Sequence, residues 1–466
     1  MSDEALGGEL GRWLAEFATS DVVMRDRTVA HRAMAVLLDD LAAIVASANE
    51  PEVERVAELA AERGRGSEAT IIATRVPVER GWAALANGVA CSWNELDEGY
   101  RPTTCHGGLY AVPAAIAEAE ASGASLAEVL TSVVAGYEVA ATVARAFAPP
   151  RPLVLHPHAT LSACGAAAAI ACLRRLDGDL AASVLGTAST FACVGPFNHA
   201  VKGALVRNAW AGVGAWLGFV AADLAVAGVA GMASSVADVF GSALRGSPDA
   251  NVSESAGLRG GVGERLAILD GYHKVYACCQ YAHSAVEAAL ALRAGPLRGA
   301  SEAELMNLGE VEVETHPLGL TLNNYDPTTA LAGKFSIPQI VSAVLASGEA
   351  TPRTFSSELL SDPVVGAIRE RVRISPYLPE PAPPLDRPAR VRVTTSDGVS
   401  HVAECQSSIG SPDRPLSLDD MLGKIEQVTQ RNGTSFVSVA HQLLTGEIAL
   451  ETPWSTVLAT LLGRGP

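Results

Sequence analysis

Apolar residues recur every three or four positions along the first half of the chain, which is the period of amphipathic α-helices. Leu10, Trp13, Leu14 and Phe17 fall at i, i+3, i+4 and i+7. The same period predicts further helices over residues 34–45, 112–120, 126–147, 162–176, 181–192 and 209–227. Strand-like residues are few before residue 265, and the best run is 70–72. We therefore predict an all-helical domain that begins with residues 1–264.

The pattern changes after residue 264, where short runs alternate apolar and polar side chains. Val311 and Val313 alternate with glutamates, and a turn at 396–398 joins two alternating runs as a β-hairpin. Helical periods remain at 282–293, 337–346, 363–370, 416–429 and 435–444. The economical architecture is mainly α. Residues 1–264 and 411–466 form the large helical domain, and residues 265–410 form an inserted, smaller α+β lid domain.

Composition narrows the class of protein. The 466 residues are 48% hydrophobic and carry a formal charge of -17, which argues against nucleic acid or an anionic membrane as a partner. The apolar stretch Val213–Val226 contains Asp223 and glycines, and it is expected to be too short to span a bilayer. The eight cysteines form no C-x-x-C pair, and the acidic N-terminus shows no secretory signal. We expect reduced core cysteines and a cytoplasmic protein.

The richest cluster of reactive side chains is the turn-prone stretch 94–108, just before a predicted helix. It contains Asp97, Arg101, Thr103 and His106 among glycines and a proline, so these side chains can converge on a ligand. A second group, His156 and His158, precedes the alanine-rich helix that follows. An imidazole at a helix N-terminus has a lowered pKa and suits a base near a carboxylate, although a plain helix entry is the alternative.

Two further groups are basic residues in apolar surroundings. Lys202 could bind an anion, although a lysine at a helix end that reaches solvent is more common. Lys274, Tyr276 and His283 lie in a polar run just before a helix, where His283 is placed for contact with an anion. No ligand spacing typical of a metal site is visible.

Taken together, these segments resemble the MmgE/PrpD family, which includes 2-methylcitrate dehydratase, cis-aconitate decarboxylase and an iminodisuccinate epimerase. The motifs are 97–108, 136–138, 156–169, Lys202 with 212–215, 274–283, and 334–338 with 363–365. The resemblance implies a metal-free and cofactor-free site between two domains, and a homodimer. It places active-site positions at Asp97, His106, His156, Lys202 and His283, with Tyr325 as a looser match.

The expected function is a cofactor-independent lyase, a dehydratase or decarboxylase, that acts on a small di- or tricarboxylate. In this hypothesis Lys202, Arg101 and His283 bind carboxylates and stabilise developing negative charge. His156 or His106 moves the proton, and Asp97 orients an imidazole or serves as the partner acid. Thr103, His158, Lys274, Tyr276 and Tyr325 complete the expected substrate contacts. An epimerase that uses the same proton abstraction, and a catalytically silent carboxylate-binding protein, are the alternatives.

Overall fold

The computed structural model describes residues 4–149, 152–244, 265–380, 382–430 and 435–463. Most of these residues are helical, so the prediction of a mainly α chain is confirmed. The helices before residue 245 are α1 Glu4–Ala18, α2 Val22–Arg25, α3 Arg27–Ala46, α4 Pro51–Arg63, α5 Arg80–Trp93, α6 Gly107–Ser122, α7 Leu126–Ala146, α8 Pro157–Leu173, α9 Gly178–Thr190, α10 Asn198–Lys202, α11 Trp210–Val226 and α12 Ser235–Ala237. Those after residue 264 are α13 His283–Ala294, α14 Glu302–Met306, α15 Ala330–Lys334, α16 Ile337–Ser347, α17 Pro363–Arg369, α18 Leu418–Thr429, α19 Ser435–Thr445 and α20 Trp454–Leu461.

Helix α8 lies at the centre of the N-terminal helices and packs against α6, α7 and α11. Small residues let these backbones approach closely, as the alanine-rich sequence predicts. A Cβ on Gly136 of α7 would lie 2.6 Å from the Cβ of Ala111 on α6, and a Cβ on Gly88 of α5 would lie 2.6 Å from the Cα of Gly212 on α11. Glycine is therefore required at both crossings by close packing.

The strands of the described residues form one four-stranded sheet and two short antiparallel pairs. β1 Ala69–Ile71 pairs with β2 Val76–Val78, and β3 Gly99–Tyr100 pairs with β4 Gly271–Tyr272. The four-stranded sheet has the order β6-β5-β7-β8 and comprises β5 Val311–Thr315, β6 Val372–Pro376, β7 Ala389–Thr394 and β8 Ser400–Cys405. β5 and β6 are parallel and the other neighbours are antiparallel. Helix α13 covers the sheet through β7 and β8 and also packs against α16.

The C-terminal helices return to the N-terminal ones. Helix α18 and helix α19 pack against α3, and α20 packs against α6 and α7. The proposed boundary at residue 264 falls in the segment 245–264, outside the described residues, so the exact division into 1–264, 265–410 and 411–466 stays a prediction.

Within the part of the chain that the structure describes, two helical runs are long and apolar enough to cross a membrane by length and composition alone: α7, and the 22-residue run Leu205–Val226. The second corrects the expectation that Val213–Val226 is too short, because a 3₁₀ turn at Leu205–Ala209 leads directly into α11. The most apolar window of α7 is 83% buried inside the fold, whereas that of the second run is 56% buried. Core helices of globular proteins pass the same test, so the finding is weak evidence for a membrane span.

Candidate active site

The loop that contains Asp97 is brought to the segment around Lys274 by the pairing of β3 with β4. Gly99 lies opposite Tyr272 in this pair. A Cβ on Gly99 would collide with the ring of Tyr272, so glycine is needed for the two segments to approach. Glu95 has a φ of 56°, which is uncommon for a residue other than glycine. The loop is thus held in a strained conformation, and strain of this kind concentrates at functional sites.

Two carboxylates and two cations alternate at the base of the site, and all four side chains are buried. The Nζ of Lys274 donates to Asp97 Oδ1 at 3.0 Å and to Glu95 Oε2 at 3.3 Å. The guanidinium of Arg207 is paired with the other oxygen of Glu95. Burial alone would raise the pKa of Asp97, but Lys274 and His106 hold it below its ordinary value. Asp97 is therefore ionised, and so is Lys274, whose pKa rises despite burial because Asp97 and Glu95 face it.

Asp97 also supports an imidazole. Its Oδ2 lies 2.6 Å from Nδ1 of His106, the N-cap residue of α6. Because Asp97 is a carboxylate, Nδ1 carries the hydrogen and Nε2 carries the lone pair. Burial lowers the pKa of His106, Asp97 opposes that change, and the net pKa lies below its ordinary value. The residue is therefore neutral at pH 7, with its basic nitrogen available and a carboxylate placed to stabilise the protonated form.

The second histidine group lies on the N-terminus of α8, as the sequence predicted. His156 is the N-cap residue, and its ring stacks on Phe197 with centroids 5.5 Å apart. Its Nε2 lies 3.3 Å from Nε of Arg207. Burial and the charge of Arg207 lower the pKa of His156 well below its ordinary value. Protonation of His156 is thus opposed by a neighbouring cation, whereas protonation of His106 is supported by a neighbouring anion.

His158 stands between the two candidate bases. Its ring centroid is 4.6 Å from that of His106 and 4.4 Å from that of His156. Tyr110 Oη lies 2.9 Å from its Nδ1, and Nε2 is buried without a partner among the described residues. His158 is completely buried and does not line the cavity, so it separates the other imidazoles instead of contacting a ligand.

Three buried lysines from other segments donate hydrogen bonds to residues 94–97 of the loop. Lys334 Nζ donates to Asn94 Oδ1 at 2.6 Å, Lys274 binds the two carboxylates, and Lys424 Nζ donates to the carbonyl oxygen of Leu96 at 2.9 Å. Lys424 also pairs with the buried Asp39. The chain has four lysines, and these three come from distant positions in the sequence. Successive residues of the loop are therefore fixed by ammonium groups from α15, the β4 segment and α18.

A second pair of carboxylates lies behind Asp97. Glu98 accepts from the backbone N–H of Gly108 at 2.6 Å and from Tyr137 Oη at 3.0 Å. Burial raises the pKa of Glu98 to about 8. Burial, together with Glu98, raises the pKa of Asp40 well above its ordinary value. These groups are buried behind the loop and do not line the cavity.

A small cavity opens at the dyad of His106 and Asp97. The space open to the centre of a water molecule is about 30 Å³, so the cavity is larger than one water molecule. The residues that line it come from the loop, from the helix N-termini and from the segment that precedes the sheet: Glu95, Tyr100, Thr103, Thr104, His106, His156, Phe197, Arg207, Tyr272, Lys274, Cys279, Gln280, Tyr281, Phe335 and Arg387. Cations, imidazoles and aromatic rings thus converge on one space, which suits an anionic ligand.

The structure brings together some of the expected residues and separates others. Thr103, His106, His156 and Lys274 line the cavity, and Asp97 contacts two of them. Lys202 is exposed at the C-terminal end of α10 and does not line the cavity, so its expected role stays a prediction. The buried ammonium of the site is that of Lys274.

His283, Tyr276 and Tyr325 also lie outside the cavity lining. His283 is buried at the start of α13, with Nε2 3.3 Å from the carbonyl oxygen of Cys278 and its ring 5.1 Å from that of Tyr276. Burial lowers the pKa of His283 to about 3, so it is neutral and cannot serve as a cationic contact. Tyr325 is 42% exposed. Arg101 does not line the cavity, but it contacts a residue that does: Nη2 of Arg387 donates to the carbonyl oxygen of Arg101 at 3.4 Å.

Sequence reasoning missed Arg207 and Arg387 as site residues. Arg207 is a basic residue in an apolar stretch, the same pattern that pointed to Lys202, and that pattern could have predicted it as a site residue. Arg387 lies in the proline-rich stretch before β7 and gave no periodic or motif signal. All eight cysteines are free, as expected, and Cys279 alone among the described cysteines lines the cavity. Burial raises the pKa of Cys279, so it is no nucleophile.

Three side chains could approach a metal ion. Ligand atoms of Asp97, His106 and His158 lie within 4.8 Å of one another. Both oxygens of Asp97 are already bonded, one to His106 and one to Lys274. Burial and then the charge of Arg207 lower the pKa of His158, and the charges of Arg207 and Lys274 would also repel a cation. The donor set therefore fits an anion better than a metal ion.

Two protein-family models together match most of the chain. The model of the MmgE/PrpD N-terminal domain matches residues 8–253, and that of the MmgE/PrpD C-terminal domain matches residues 276–441. Among curated proteins, no match to the chain was found. The first domain contains the loop and both histidine groups, and the second contains Cys279, Tyr281 and Arg387. The chain therefore belongs to the MmgE/PrpD family.

Proposed function

We propose that this protein is a lyase that removes water or CO2 from a small di- or tricarboxylate by abstracting or donating a proton next to a carboxylate. Membership of the MmgE/PrpD family supports dehydratase-like chemistry in general. The observation that carries the finer proposal is the unequal support of the two imidazoles. His106 has an ionised carboxylate at 2.6 Å, whereas His156 faces a guanidinium at 3.3 Å.

His106 is the base in this proposal. Its Nε2 removes the proton, and Asp97 stabilises the resulting imidazolium through Nδ1–H. The electrons left on carbon spread onto the adjacent carboxylate, where Lys274 and Arg207 stabilise the added charge in a site that excludes water. In a dehydration that electron pair forms the alkene as the β-hydroxyl leaves, and the leaving hydroxyl takes the proton from His106 to become water. In a decarboxylation no proton is abstracted first: the bond from carbon to the carboxylate breaks, CO2 leaves, and the electron pair left on carbon takes a proton from a protonated His106.

An epimerase is the second candidate, and the presence of two imidazoles favours it. Such an enzyme removes the proton with one base and returns it from the other face with a second acid. His156 would have to carry a proton beside Arg207, which raises the cost of its charged form. One-base elimination is therefore our first choice. The silent carboxylate-binding alternative is less well supported because the dyad would then serve no purpose.

Two separate parts of the chain line the cavity: Thr103 and Thr104 lie on one, and Gln280, Tyr281 and Arg387 lie on the other. We propose that residues 265–410 act as the inserted lid, and that Gln280, Tyr281 and Arg387 move away from Thr103 and Thr104 to admit the substrate. Closure would then remove water and strengthen the charge interactions.

The remaining expectations stay proposals. In the closed structure Lys202 and His283 make no contact with the cavity, so any role in binding would need a different conformation. We propose that the reaction needs no metal or cofactor, since Lys274 and Arg207 supply the positive charge. Full activity after EDTA treatment is expected, and activity that depends on added zinc or iron would contradict the proposal. Free cysteines agree with the proposed cytoplasmic location.

The proposed homodimer has a candidate interface on α11. Val213, Leu217, Val220 and Leu224 follow the helical period and are only half-buried, and Val226 is 58% exposed. An apolar stripe of this kind is typical of a surface that packs against another chain. We propose a second copy of this chain as the occupant, and a small polycarboxylate as the other partner.

Proton NMR in D2O tests the reaction. The enzyme is incubated with malate, citrate and cis-aconitate in turn. A dehydratase consumes a hydroxy acid and produces a new alkene signal, or hydrates cis-aconitate; a decarboxylase produces a product one carbon shorter. Deuterium that enters an unchanged or inverted substrate, without alkene formation, would indicate an epimerase instead.

Matched variants test the one-base assignment. His106→Asn should abolish proton abstraction, whereas His156→Asn should retain measurable elimination. Loss of activity in both variants, with deuterium exchange retained in each for only one stereoisomer, would support two opposed bases and contradict the lyase proposal.

A further inference from the structure

Arg387 is a buried cation in the cavity wall without an acidic partner of its own. Its side chain lines the cavity and the residue is 6% exposed. The guanidinium donates to the neutral amide oxygen of Gln280 and to the carbonyl oxygen of Arg101. By contrast, Arg207 and Lys274 are each paired with a buried carboxylate. Three lysine or arginine residues line the cavity among the described residues: Arg207, Lys274 and Arg387. Arg387 differs from the other two because both of its hydrogen-bond acceptors are uncharged.

A second guanidinium lies beside it. The Arg101 side chain is 9% exposed and pairs with Asp386 at 2.7 Å. Burial and the neighbouring charge of Arg387 lower the pKa of Arg101 to about 10. Three nitrogens of this pair are buried without a hydrogen-bond partner among the described residues: Nε and Nη1 of Arg101, and Nε of Arg387. Unpaired buried donors cost free energy, so this concentration needs an explanation.

Tyr272 connects this pair to the dyad. The Tyr272 ring centroid is 6.3 Å from that of His106 and 5.9 Å from Cζ of Arg387. The guanidinium also lies 5.1 Å from the Tyr281 ring centroid, so two aromatic rings hold it in place. Arg387 and His106 therefore face the same small space, and a single small molecule can contact both.

We infer that Arg387, assisted by Arg101, is a binding site for a second carboxylate of the substrate, the one remote from the carbon that loses its proton. A carboxylate can accept two parallel hydrogen bonds from a guanidinium, and it would supply acceptors to the unpaired nitrogens of both arginines and the negative charge that Arg387 lacks. This inference rests on the proposed function and deepens it. It makes Arg387 the residue that distinguishes dicarboxylates from monocarboxylates.

Isothermal titration with two inert probes of equal chain length tests the inference. Succinate carries two carboxylates and butyrate carries one. The wild-type protein should bind succinate about 10- to 100-fold more tightly than butyrate, because hydrogen bonds to a charged group are among the strongest in proteins. Arg387→Gln should remove most of that preference by weakening succinate and leaving butyrate within about three-fold, and Arg387→Lys should retain part of it.

Arg390→Gln is the matched control. Arg390 lies three residues further on, in β7, and pairs with Glu314 and Glu404 on the sheet. This variant should keep the full preference for succinate. Thermal melting of each variant establishes that it is folded, and a folded Arg387→Lys variant keeps the test valid if Arg387→Gln does not fold.

The outcomes separate the inference from the function on which it rests. A wild-type protein that prefers succinate, with an Arg387→Gln variant that retains the preference, would overturn the role of Arg387 and leave the polycarboxylate lyase intact. A wild-type protein that binds succinate no better than butyrate would overturn both. Equal weakening of succinate and butyrate in Arg387→Gln would mean that Arg387 shapes the cavity and does not read the second carboxylate.

Discussion

Replacing Lys424 with methionine should destabilise the protein strongly and also disturb the loop 94–108, which contains Asp97 and His106. Lys424 lies on α18, and its ammonium joins Asp39 on α3 to the carbonyl oxygen of Leu96. Methionine has a similar length and no charge, so Lys424→Met preserves much of the packing while it removes both polar contacts. The carboxylate of Asp39 would then lose its main cation at a site of zero exposure.

The magnitude follows from burial. Removal of one partner of a buried ion pair costs roughly 3–5 kcal/mol, since the other charge is left uncompensated. Total unfolding free energies are about 5–15 kcal/mol, so the loss would be a large part of the stability. Replacing both partners, in Lys424→Met with Asp39→Asn, should recover much of that loss because no charge is left buried.

The pH dependence identifies the mechanism. Burial would raise the pKa of Asp39, but Lys424 and His273 hold it below its ordinary value of 3.8. The wild-type contribution is therefore present above about pH 3.8 and is lost only as pH falls through the lower folded value. In Lys424→Met the lost cation lets burial raise the pKa of Asp39. The variant should thus gain stability relative to the wild-type protein as pH falls from about 8 to about 5.

Urea unfolding followed by tryptophan fluorescence at both pH values provides the measurement. Lys202→Met is the matched stability control, because Lys202 is the exposed lysine of the chain. It should change the unfolding free energy by less than about 0.5 kcal/mol. A loss below about 1 kcal/mol in Lys424→Met, or a loss that does not shrink at low pH, would refute the reasoning.

Three other predictions concern the dyad, the second carboxylate pair and the surface. Asp97→Asn should lower turnover of the active polycarboxylate by about 10²- to 10⁴-fold, because the charge that supports protonated His106 is lost; NMR rates within ten-fold of wild type would contradict this. Glu98 has a folded pKa raised to about 8 from 4.5, so its contribution to stability falls as pH rises between those values. Glu98→Gln should flatten that decline in urea midpoints, and an unchanged slope would show that another group titrates. Leu217→Glu on α11 should convert the proposed dimer to a monomer, and light scattering should then give the monomer mass. A retained dimer mass would place the interface elsewhere.

Much of the fold could be predicted because apolar periodicity reports burial directly. The period of residues 34–45 corresponds to α3, and the alternation at Val311 and Val313 corresponds to the central strand β5. Helix α4 and helix α5 were missed. Helix α5 contains Gly81, Asn87 and Gly88, residue types that usually indicate a loop. Gly88 is nevertheless helical, and a side chain there would collide with α11. Tertiary packing overrode local propensity at that position.

The site could be predicted only where its residues are close in sequence. The stretch 94–108 contains Asp97, Thr103 and His106 together, and a local motif is enough to find them. Lys202 was favoured for its apolar surroundings, but a residue type in an apolar stretch does not say which way the side chain points. Arg387 reaches the cavity only through the fold, so its 290-residue separation from Asp97 leaves no local trace.

The scarcity of lysine is itself informative about how the catalytic loop is fixed. A guanidinium is wide, planar and suited to surfaces and paired carboxylates, whereas an ammonium is compact and can enter a narrow space between a carbonyl and a carboxylate. In a chain with four lysines, Lys274, Lys334 and Lys424 all occupy such spaces beside residues 94–97. Each ammonium comes from a segment that reaches the loop only after the chain has folded. The loop, including the strained Glu95, therefore acquires its geometry from tertiary structure, and the same contacts fix the position of Asp97 beside His106.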